Sequence, residues 1–449
     1  MRILVLIASD LYVRSFVSTG AFDALAAEHE LIWVADRDLT NVDQVQRQPG
    51  IAETLPTDPA REQAYDWIRA ILMMAYRRRS RAMAIRIGNM PRWDWLKTWL
   101  LALPGVRRLV IGHALRRIGP NTELRGLLER TAPDLVVAPF AGTGALIFDL
   151  VRESRSLGIP SLLLVNGWDN LASKTTFTML PDYIGAWGEQ SVEHAVRIHG
   201  FERERVFPLG VPTFQPYFDF DRAGASSPYP FRYVLFAGCA VPFDERTALQ
   251  VLDRALTERG IDDVRVVYRP HPWRQPRAVD DAVREEDFQH VTIDGQVREQ
   301  YLAATGRSDP VGPGEFLPAL DYYPSLVGSA EFVVCPLSTM VVESAILERR
   351  VLLLAYDDRV HDLPPNVIAQ FDHFDGIDAI DGFERVDRLE ELGPAFTAML
   401  EAPPSASVRA QVLPWLYFDD ATYGQRLAAL VAKLSARAPA ATSRRSGAG

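Results

Sequence analysis

Short continuous apolar runs of strand length alternate along the chain with longer stretches in which apolar residues recur every three or four positions. RILVLIAS is followed by VSTGAFDALAA and then by ELIWVA. TAPDLVVAPFAG, GALIFDLVRESRSLGI and PSLLLVNGW repeat that order, as do DYIGAWG, SVEHAVRIHG and RVFPLGVP. Strand, helix and strand in succession, with Val/Ile/Leu runs too continuous for a half-exposed sheet, predict parallel strands covered by helices on both faces. The pattern breaks at 214–231, FQPYFDFDRAGASSPYPF, a linker by its Pro, Gly, Ser and Asp content. It restarts with RYVLFAGCAV, TALQVLDRALTERG and DVRVVYRPHP, and continues through HVTIDG, EFVVCPLS, MVVESAILER and RVLLLAY.

The expected fold class is therefore α/β, with two Rossmann-like doubly wound domains, 1–213 and 232–405, facing a central cleft. A helical segment at 406–436 and a tail at 437–449, whose Ala/Ser/Gly/Arg composition predicts disorder, complete the chain. Ligands of open α/β sheets bind outside the carboxyl ends of the strands, so the site is expected between the domains.

The length of 449 residues fits this division, because single cores stop growing at roughly 250–300 residues. Charge changes the picture. The formal net charge is −10, from 48 Lys+Arg against 58 Asp+Glu, but residues 61–117 hold 13 Lys+Arg against only Glu62, Asp66 and Asp94. That local balance of +10 leaves −20 for everything else. It marks a basic helical insertion, about 61–118, in the first domain. Cys239 and Cys335 each lie in an apolar run, which suits buried thiols and a reducing cytoplasm. No uncharged apolar stretch reaches the roughly 18 residues of a membrane span, and MRILVLIASD reads as a first strand rather than an export signal.

Candidate chemistry concentrates at strand ends. In EFVVCPLSTMVVESAILERR a buried strand ends at Pro336 and a helix begins near Ser338 and Thr339. Hydroxyls and unpaired amides at a helix start suit a phosphate, and Glu343 falls one turn further on, within reach of an attached ribose. An ordinary capped amphipathic helix is the plainer reading. In VRVVYRPHPW a strand delivers Arg269 and His271 between prolines that hold the backbone out of helix, so guanidinium and imidazole can meet a diphosphate. A solvated surface turn is the alternative.

RPHP at a strand end, followed later by a strand, PLSTM, a glutamate and a helix, resembles the donor half of GT-B-fold glycosyltransferases. The similarity is closest to the bacterial surface-carbohydrate and CDP-glycerol-transferase-like branches. The resemblance implies that Arg269, His271, Ser338 and Thr339 bind the nucleotide diphosphate and that Glu343 contacts the ribose. It covers the second domain well and the first loosely. The long polar segment between the two motifs, 283–316, departs from the pattern and leaves the base open.

In the first domain, VNGWDNLASKTT places Trp168, Asp169, Asn170, Ser173 and Lys174 after a strand. A WDN-x-x-S/T-K segment at this place is similar to the same branch. Asp169 is a candidate base for an acceptor hydroxyl, and Lys174 can meet phosphate charge; a self-bonded loop is the alternative. Asp10, after the first strand, is a rival base or a helix cap, and Glu189 is a third carboxylate at a strand end. APFAGTGAL lacks the third small residue of a dinucleotide fingerprint, since Ile147 stands there. Neither H-E-x-x-H nor C-x-x-C occurs, so neither a metal nor another cofactor is expected.

The implied function is metal-independent transfer of a sugar from a nucleotide-activated donor to a glycan or lipid-linked acceptor in bacterial cell-surface polysaccharide biosynthesis. A glycerol- or ribitol-phosphate transferase of the CDP-glycerol type and a non-catalytic nucleotide-sugar-binding protein are the alternatives. The basic segment, with Arg77, Arg78, Arg79 and Arg81 beside Trp93, Trp95 and Trp99, suits an anionic membrane surface. A solvated hairpin with paired arginines and an anionic acceptor remain open beside it. The expected location is cytoplasmic and peripheral at the inner face of the membrane. Nucleic acid is not an expected partner, because the acidic remainder repels it.

Overall fold

The computed structural model describes residues 1–220, 226–241, 243–271, 282–304, 320–402 and 408–437. Two compact units are present. The first combines Met1–Tyr76, Met90–Gln215 and the chain from Tyr417 on; the second combines Arg77–Asn89 with Pro216–Leu416.

The first unit is built on a seven-stranded sheet of β1 (Arg2–Ile7), β2 (Glu30–Asp36), β3 (Ile51–Leu55), β4 (Leu135–Phe140), β5 (Ser161–Val165), β6 (Tyr183–Ala186) and β7 (Val206–Pro208). The order is β3-β2-β1-β4-β5-β6-β7, every pair parallel. Strands β4 and β5 are buried along their whole length, as helices on both faces require. Strand order reverses between β1 and β4.

Helices α1 (Pro59–Tyr76), α2 (Arg92–Leu101) and α3 (Pro104–Ile118) lie between β3 and β4 in the chain, and α4 (Ala145–Ser156) links β4 to β5. Helix α4 buries Leu146, Ile147, Leu150 and Val151, with Asp149 among them at 0% exposure. Asp149 is held by Arg61 (Nε–Oδ2 and Nη2–Oδ1, both 2.7 Å), Tyr65 (2.7 Å) and Asn121 (3.1 Å). Arg61 also donates to the carbonyls of Ile118 and Gly119. One buried ion pair thus ties the start of α1 and the end of α3 to α4.

The second unit carries β8 (Arg232–Ala237), β9 (Val264–Arg269), β10 (Val291–Ile293), β11 (Val333–Pro336), β12 (Val351–Leu354) and β13 (Phe383–Val386) in the order β10-β9-β8-β11-β12-β13, again all parallel. Its main helices are α5 (Glu245–Arg259), α6 (Tyr322–Gly328), α7 (Met340–Ile346) and α8 (Leu389–Glu401). Leu249, Leu252 and Leu256 of α5 meet Leu392 and Phe396 of α8 in one core cluster. Strand order reverses between β8 and β11.

Two parts of the chain depart from a contiguous division into domains. Residues 77–89, expected within the first-domain insertion, pack in the second unit. There Ser80 caps a helix, Arg81–Gly88, and Asp372 accepts bonds from the Ser80 hydroxyl (3.2 Å) and the Ala82 amide (3.1 Å). Arg81 pairs with Asp375 and lies 3.8 Å from Asp372, so this arginine answers acids of its own unit rather than an outside polyanion. The last helix, α9 (Tyr423–Arg437), returns to the first unit. Its stripe of Tyr423, Leu427, Leu430, Val431 and Leu434 joins Phe16, Phe22 and Leu25 in the core. A helix with a full apolar stripe must cover something, and β1 and β2 supply that face. The boundary between the units falls at Gln215, at the start of the expected linker. The expected disordered tail lies outside the described residues, apart from Arg437 at the end of α9.

Replacing Asp149 by Ala leaves the largely buried Arg61 side chain, 12% exposed, without its counter-charge. Denaturant unfolding is expected to show a loss of about 3–5 kcal/mol; a loss under about 1 kcal/mol would contradict the tying role of the pair.

Candidate functional site

In an open parallel sheet, the loops on either side of the order reversal separate and leave a crevice at the carboxyl ends of the strands. In the second unit these are the loops after β8 and β11. Strand β8 runs into Gly238, where an added Cβ would stand 2.8 Å from Glu245 Oε1 and 3.1 Å from the His271 backbone nitrogen. No side chain larger than hydrogen fits between those groups without movement. Glu245, 3% exposed, fixes the turn by accepting from the Cys239 amide (3.3 Å) and the Tyr268 hydroxyl (2.5 Å).

Strand β11 runs into Leu337, Ser338 and Thr339. Ser338 Oγ accepts from the Met340 amide at 3.3 Å, and Thr339 caps α7 without a capping bond from its side chain. Both residues are part-exposed at the strand's end. Glu343, one turn on, is buried, and its Oε2 accepts from the buried Tyr217 hydroxyl. Burial, followed by the charge of Glu343, raises the Tyr217 pKa well above its ordinary value. The expected ribose ligand is therefore already engaged by a tyrosine of its own unit.

Asp358, after β12, accepts from the amides of Asp244 (2.9 Å), Val360 and His361 (both 3.1 Å), and lies 2.7 Å from His361 Nδ1. Burial opposes its charge, but these bonds outweigh it and hold the carboxyl below its ordinary value. Because β11 lies between β8 and β12, the Asp244–Asp358 bond joins the loops on either side of the strand that delivers Ser338. It also turns the His361 ring, 31% exposed, at the same sheet edge.

Arg269 ends β9 as expected, but its guanidinium faces inward. It is 4% exposed and pairs with Asp294, which is 0% exposed. Asp294 also accepts from Tyr229 (2.7 Å) and Tyr322 (2.6 Å), and the Arg269 guanidinium carbon stands 4.5 Å from the centre of the Tyr323 ring. Burial, followed by Asp294, pushes the Tyr229 pKa up to about 12. The parallel register explains the pairing: Ile293 lies opposite Tyr268, so the next residues of β10 and β9 are Asp294 and Arg269. The long polar segment that interrupts the expected pattern thus supplies the counter-ion of the arginine. His271 sits beside Gly238, beyond the strand's end.

In the first unit the reversal flanks residues 8–10 and 141–144. Asp10 spends both carboxylate oxygens on the loop after β2, accepting from Thr40 N (3.1 Å), Asn41 N (2.9 Å) and Asn41 Nδ2 (3.0 Å). It acts as a clamp on that loop, with both oxygens engaged.

The segment after β5 packs on the segment after β4. Gly142, at φ 101°, would drive a Cβ to 2.8 Å from Thr175 Oγ1, so only glycine suits the position. Asp169 pairs with Lys174 at 2.7 Å, with 18% and 43% of the two side chains exposed, and bonds Asn170 Nδ2 (3.1 Å) and Ser173 Oγ (3.3 Å). Asn170 Oδ1 accepts from the Gly167 amide at 2.7 Å, and Trp168 stacks on Trp187 with ring centres 6.5 Å apart. These five residues form one self-bonded loop from which Asp169 and Lys174 emerge. Glu189 does not join them; it forms a two-oxygen pair with Arg203 (2.9 and 2.8 Å) on the surface.

Ser338, Thr339 and the Asp358–His361 pair therefore share one sheet edge, Asp169 and Lys174 another; Asp10 and Glu189 are committed to partners of their own, and Arg269 holds Asp294 through Nη1 while its buried Nε and Nη2 make no hydrogen bond among the described residues. Among the described residues, no three His, Cys, Asp or Glu side chains converge as a metal site.

No protein-family model matches the chain, and no curated protein matches its sequence. Its structure is similar to many solved structures, among them these three. One is the UDP-GlcNAc 2-epimerase of Methanocaldococcus jannaschii (TM-score 0.51, 13% identity, 96% of this chain and 100% of that one). Another is the UDP-GlcNAc 2-epimerase of Neisseria meningitidis bound to UDP-GlcNAc (0.52, 12%, 97% and 100%). The third is the glycotransferase of kitacinnamycin (0.52, 11%, 96% and 98%). At these identities the likeness is one of fold. The chain has the GT-B fold, two Rossmann-like units with parallel sheets of seven and six strands.

Replacing Arg269 by Ala leaves Asp294 buried without its counter-charge. Unfolding measurements are expected to show destabilisation of about 3–5 kcal/mol. Retained stability with loss of nucleotide binding would instead make Arg269 a ligand-contacting group.

Proposed function

We propose that the chain is a glycosyltransferase that takes a sugar from a nucleoside-diphosphate donor. The observation that carries the proposal is the position of Ser338 and Thr339: they follow, after Leu337 alone, the strand at which the order of the second sheet reverses. Two hydroxyls at that point, beside a backbone kept close by Gly238, suit the oxygens of a diphosphate. His361, with Nδ1 engaged by Asp358, can present Nε2 to the same anion. This differs from the assignment by resemblance, in which Arg269 carried the charge; here Arg269 braces the strand end.

Transfer forms a bond from the acceptor oxygen to the sugar's anomeric carbon and breaks the bond from that carbon to the diphosphate. The hydroxyl's proton passes to a carboxylate and then to water. Asp169 is favoured over Asp10 for this task because its partners, Lys174, Asn170 and Ser173, hold it through side chains that can rearrange, whereas Asp10 is held by two backbone amides. Neutralising the departing diphosphate while holding it in place is the main catalytic demand, and the second-unit hydroxyls and imidazole answer it.

A second reading, epimerisation of the donor sugar, is supported by the two epimerases among the similar structures. A CDP-glycerol-type phosphotransferase uses the same phosphate contacts. Product analysis separates the three. Release of a nucleoside diphosphate that depends on acceptor supports transfer. Conversion of the donor sugar without acceptor supports epimerisation, and CMP release with an added glycerol-phosphate mass supports the third. Binding without turnover of any donor would make the chain a nucleotide-sugar-binding protein.

In a thermal-shift titration, a nucleoside diphosphate at about 100 times its Kd is expected to stabilise the folded chain by ~2.7 kcal/mol. The double substitution Ser338→Ala, Thr339→Val is expected to weaken that binding at least about tenfold, the worth of one or two hydrogen bonds to a charged group. Unchanged affinity would remove these hydroxyls from the site.

A further inference from the structure

Helices α2 and α3 differ from the other long helices among the described residues: neither buries a single residue. Between Trp93 and Leu109 stand six large apolar side chains, each more than a third exposed: Trp93 (74%), Leu96, Leu100, Leu103, Val106 and Leu109 (73%). Their spacing of three or four residues draws them into one stripe on each helix and across the short join. The stripe is not the residue of poor packing. Trp95 and Trp99, on another side of α2, stack with ring centres 6.5 Å apart and planes 4° from parallel. A contiguous apolar surface of this kind on a folded chain marks a surface for a partner.

Charge decides which partner. Residues 92–118 carry Arg92, Lys97, Arg107, Arg108, Arg116 and Arg117 against Asp94 alone, a local charge of +5. A second copy of the chain would bring +5 against +5 across a low-dielectric contact, which is repulsive. A surface both apolar just below its plane and anionic at its plane satisfies the leucines and arginines together. We infer that α2 and α3 lie flat in the interface of an anionic lipid bilayer, with the Trp93–Leu109 stripe between the headgroups and the arginines against lipid phosphates.

The helices have 10 and 15 residues, short of the roughly 20 that a span needs, and no described helix is long and apolar enough to cross a membrane. They rest on the bilayer rather than cross it. The location differs from that suggested by the arginine run 77–81. Arg81 is committed to Asp375, and Arg61 is paired with the buried Asp149. The inference uses none of the donor-site residues, so it stands or falls apart from the proposed activity.

Vesicle flotation of the full chain tests it, using phosphatidylcholine vesicles with and without phosphatidylglycerol. Binding is expected to the anionic vesicles and to be at least about tenfold weaker to the neutral ones, since each cation at an anionic surface is worth about fivefold. The exposed substitutions Leu96→Asp with Leu109→Asp are expected to abolish flotation, and Arg107→Gln with Arg108→Gln to weaken it at least about tenfold, while the unfolding midpoint stays put. No flotation, equal flotation on both vesicles, or flotation indifferent to both pairs would overturn the inference. So would a lipid-free dimer in sedimentation that Leu109→Asp dissociates, since the stripe would then belong to a second copy.

Discussion

Parallel strands covered by helices on both faces leave only their ends in contact with solvent, and this constraint decides where the molecule can do chemistry. At the centre of both sheets the faces are consumed by burial: β4 and β5 in the first unit and β11 and β12 in the second have no exposed residue. Each sheet reverses its strand order once, between β1 and β4 and between β8 and β11. The loop after β11 holds Ser338 and Thr339, on which the diphosphate assignment rests. Their neighbours in the sheets prepare the ground: Gly238 gives the backbone room, Glu245 pins the turn, and Asp358 ties the loops across β11.

The arginines show a second constraint. A buried guanidinium needs a counter-charge, and the fold supplies one from a neighbouring element. Arg61 meets Asp149 across two helices, and Arg269 meets Asp294 across two strands. Both pairs are reinforced by tyrosine hydroxyls, Tyr65 in the first case and Tyr229 and Tyr322 in the second. These cations hold parts of the fold together, whereas those of α2 and α3 include several that remain at the surface. The same residue type therefore does opposite work in the two settings, and its composition count separates neither.

Much of the architecture was legible in the sequence because continuous apolar runs and helical periodicity report burial directly. The two doubly wound units, the strands that deliver Asp10, Asp169, Arg269 and Ser338, and the break near 214 all follow from that pattern. Partnerships between distant residues did not. The pairing of Arg269 with Asp294 depends on the register of two parallel strands; YR ending one run and ID ending the next was the available signal. Glu343 with Tyr217, Asp10 with the loop at 40–41, and Glu189 with Arg203 likewise arise from tertiary proximity. The return of α9 to the first unit was foreshadowed only by an apolar stripe that needed a face to cover.

In the proposed function the second unit holds a nucleoside diphosphate at the carboxyl ends of β8 and β11. Amide hydrogen exchange, with and without a nucleoside diphosphate shown by titration to saturate the chain, tests it most directly. The account predicts slowed exchange at 238–245 and 338–343, with the first-unit segment 8–12 unchanged. Protection confined to the first unit, or exchange unaltered at 338–343 under saturation, would contradict it.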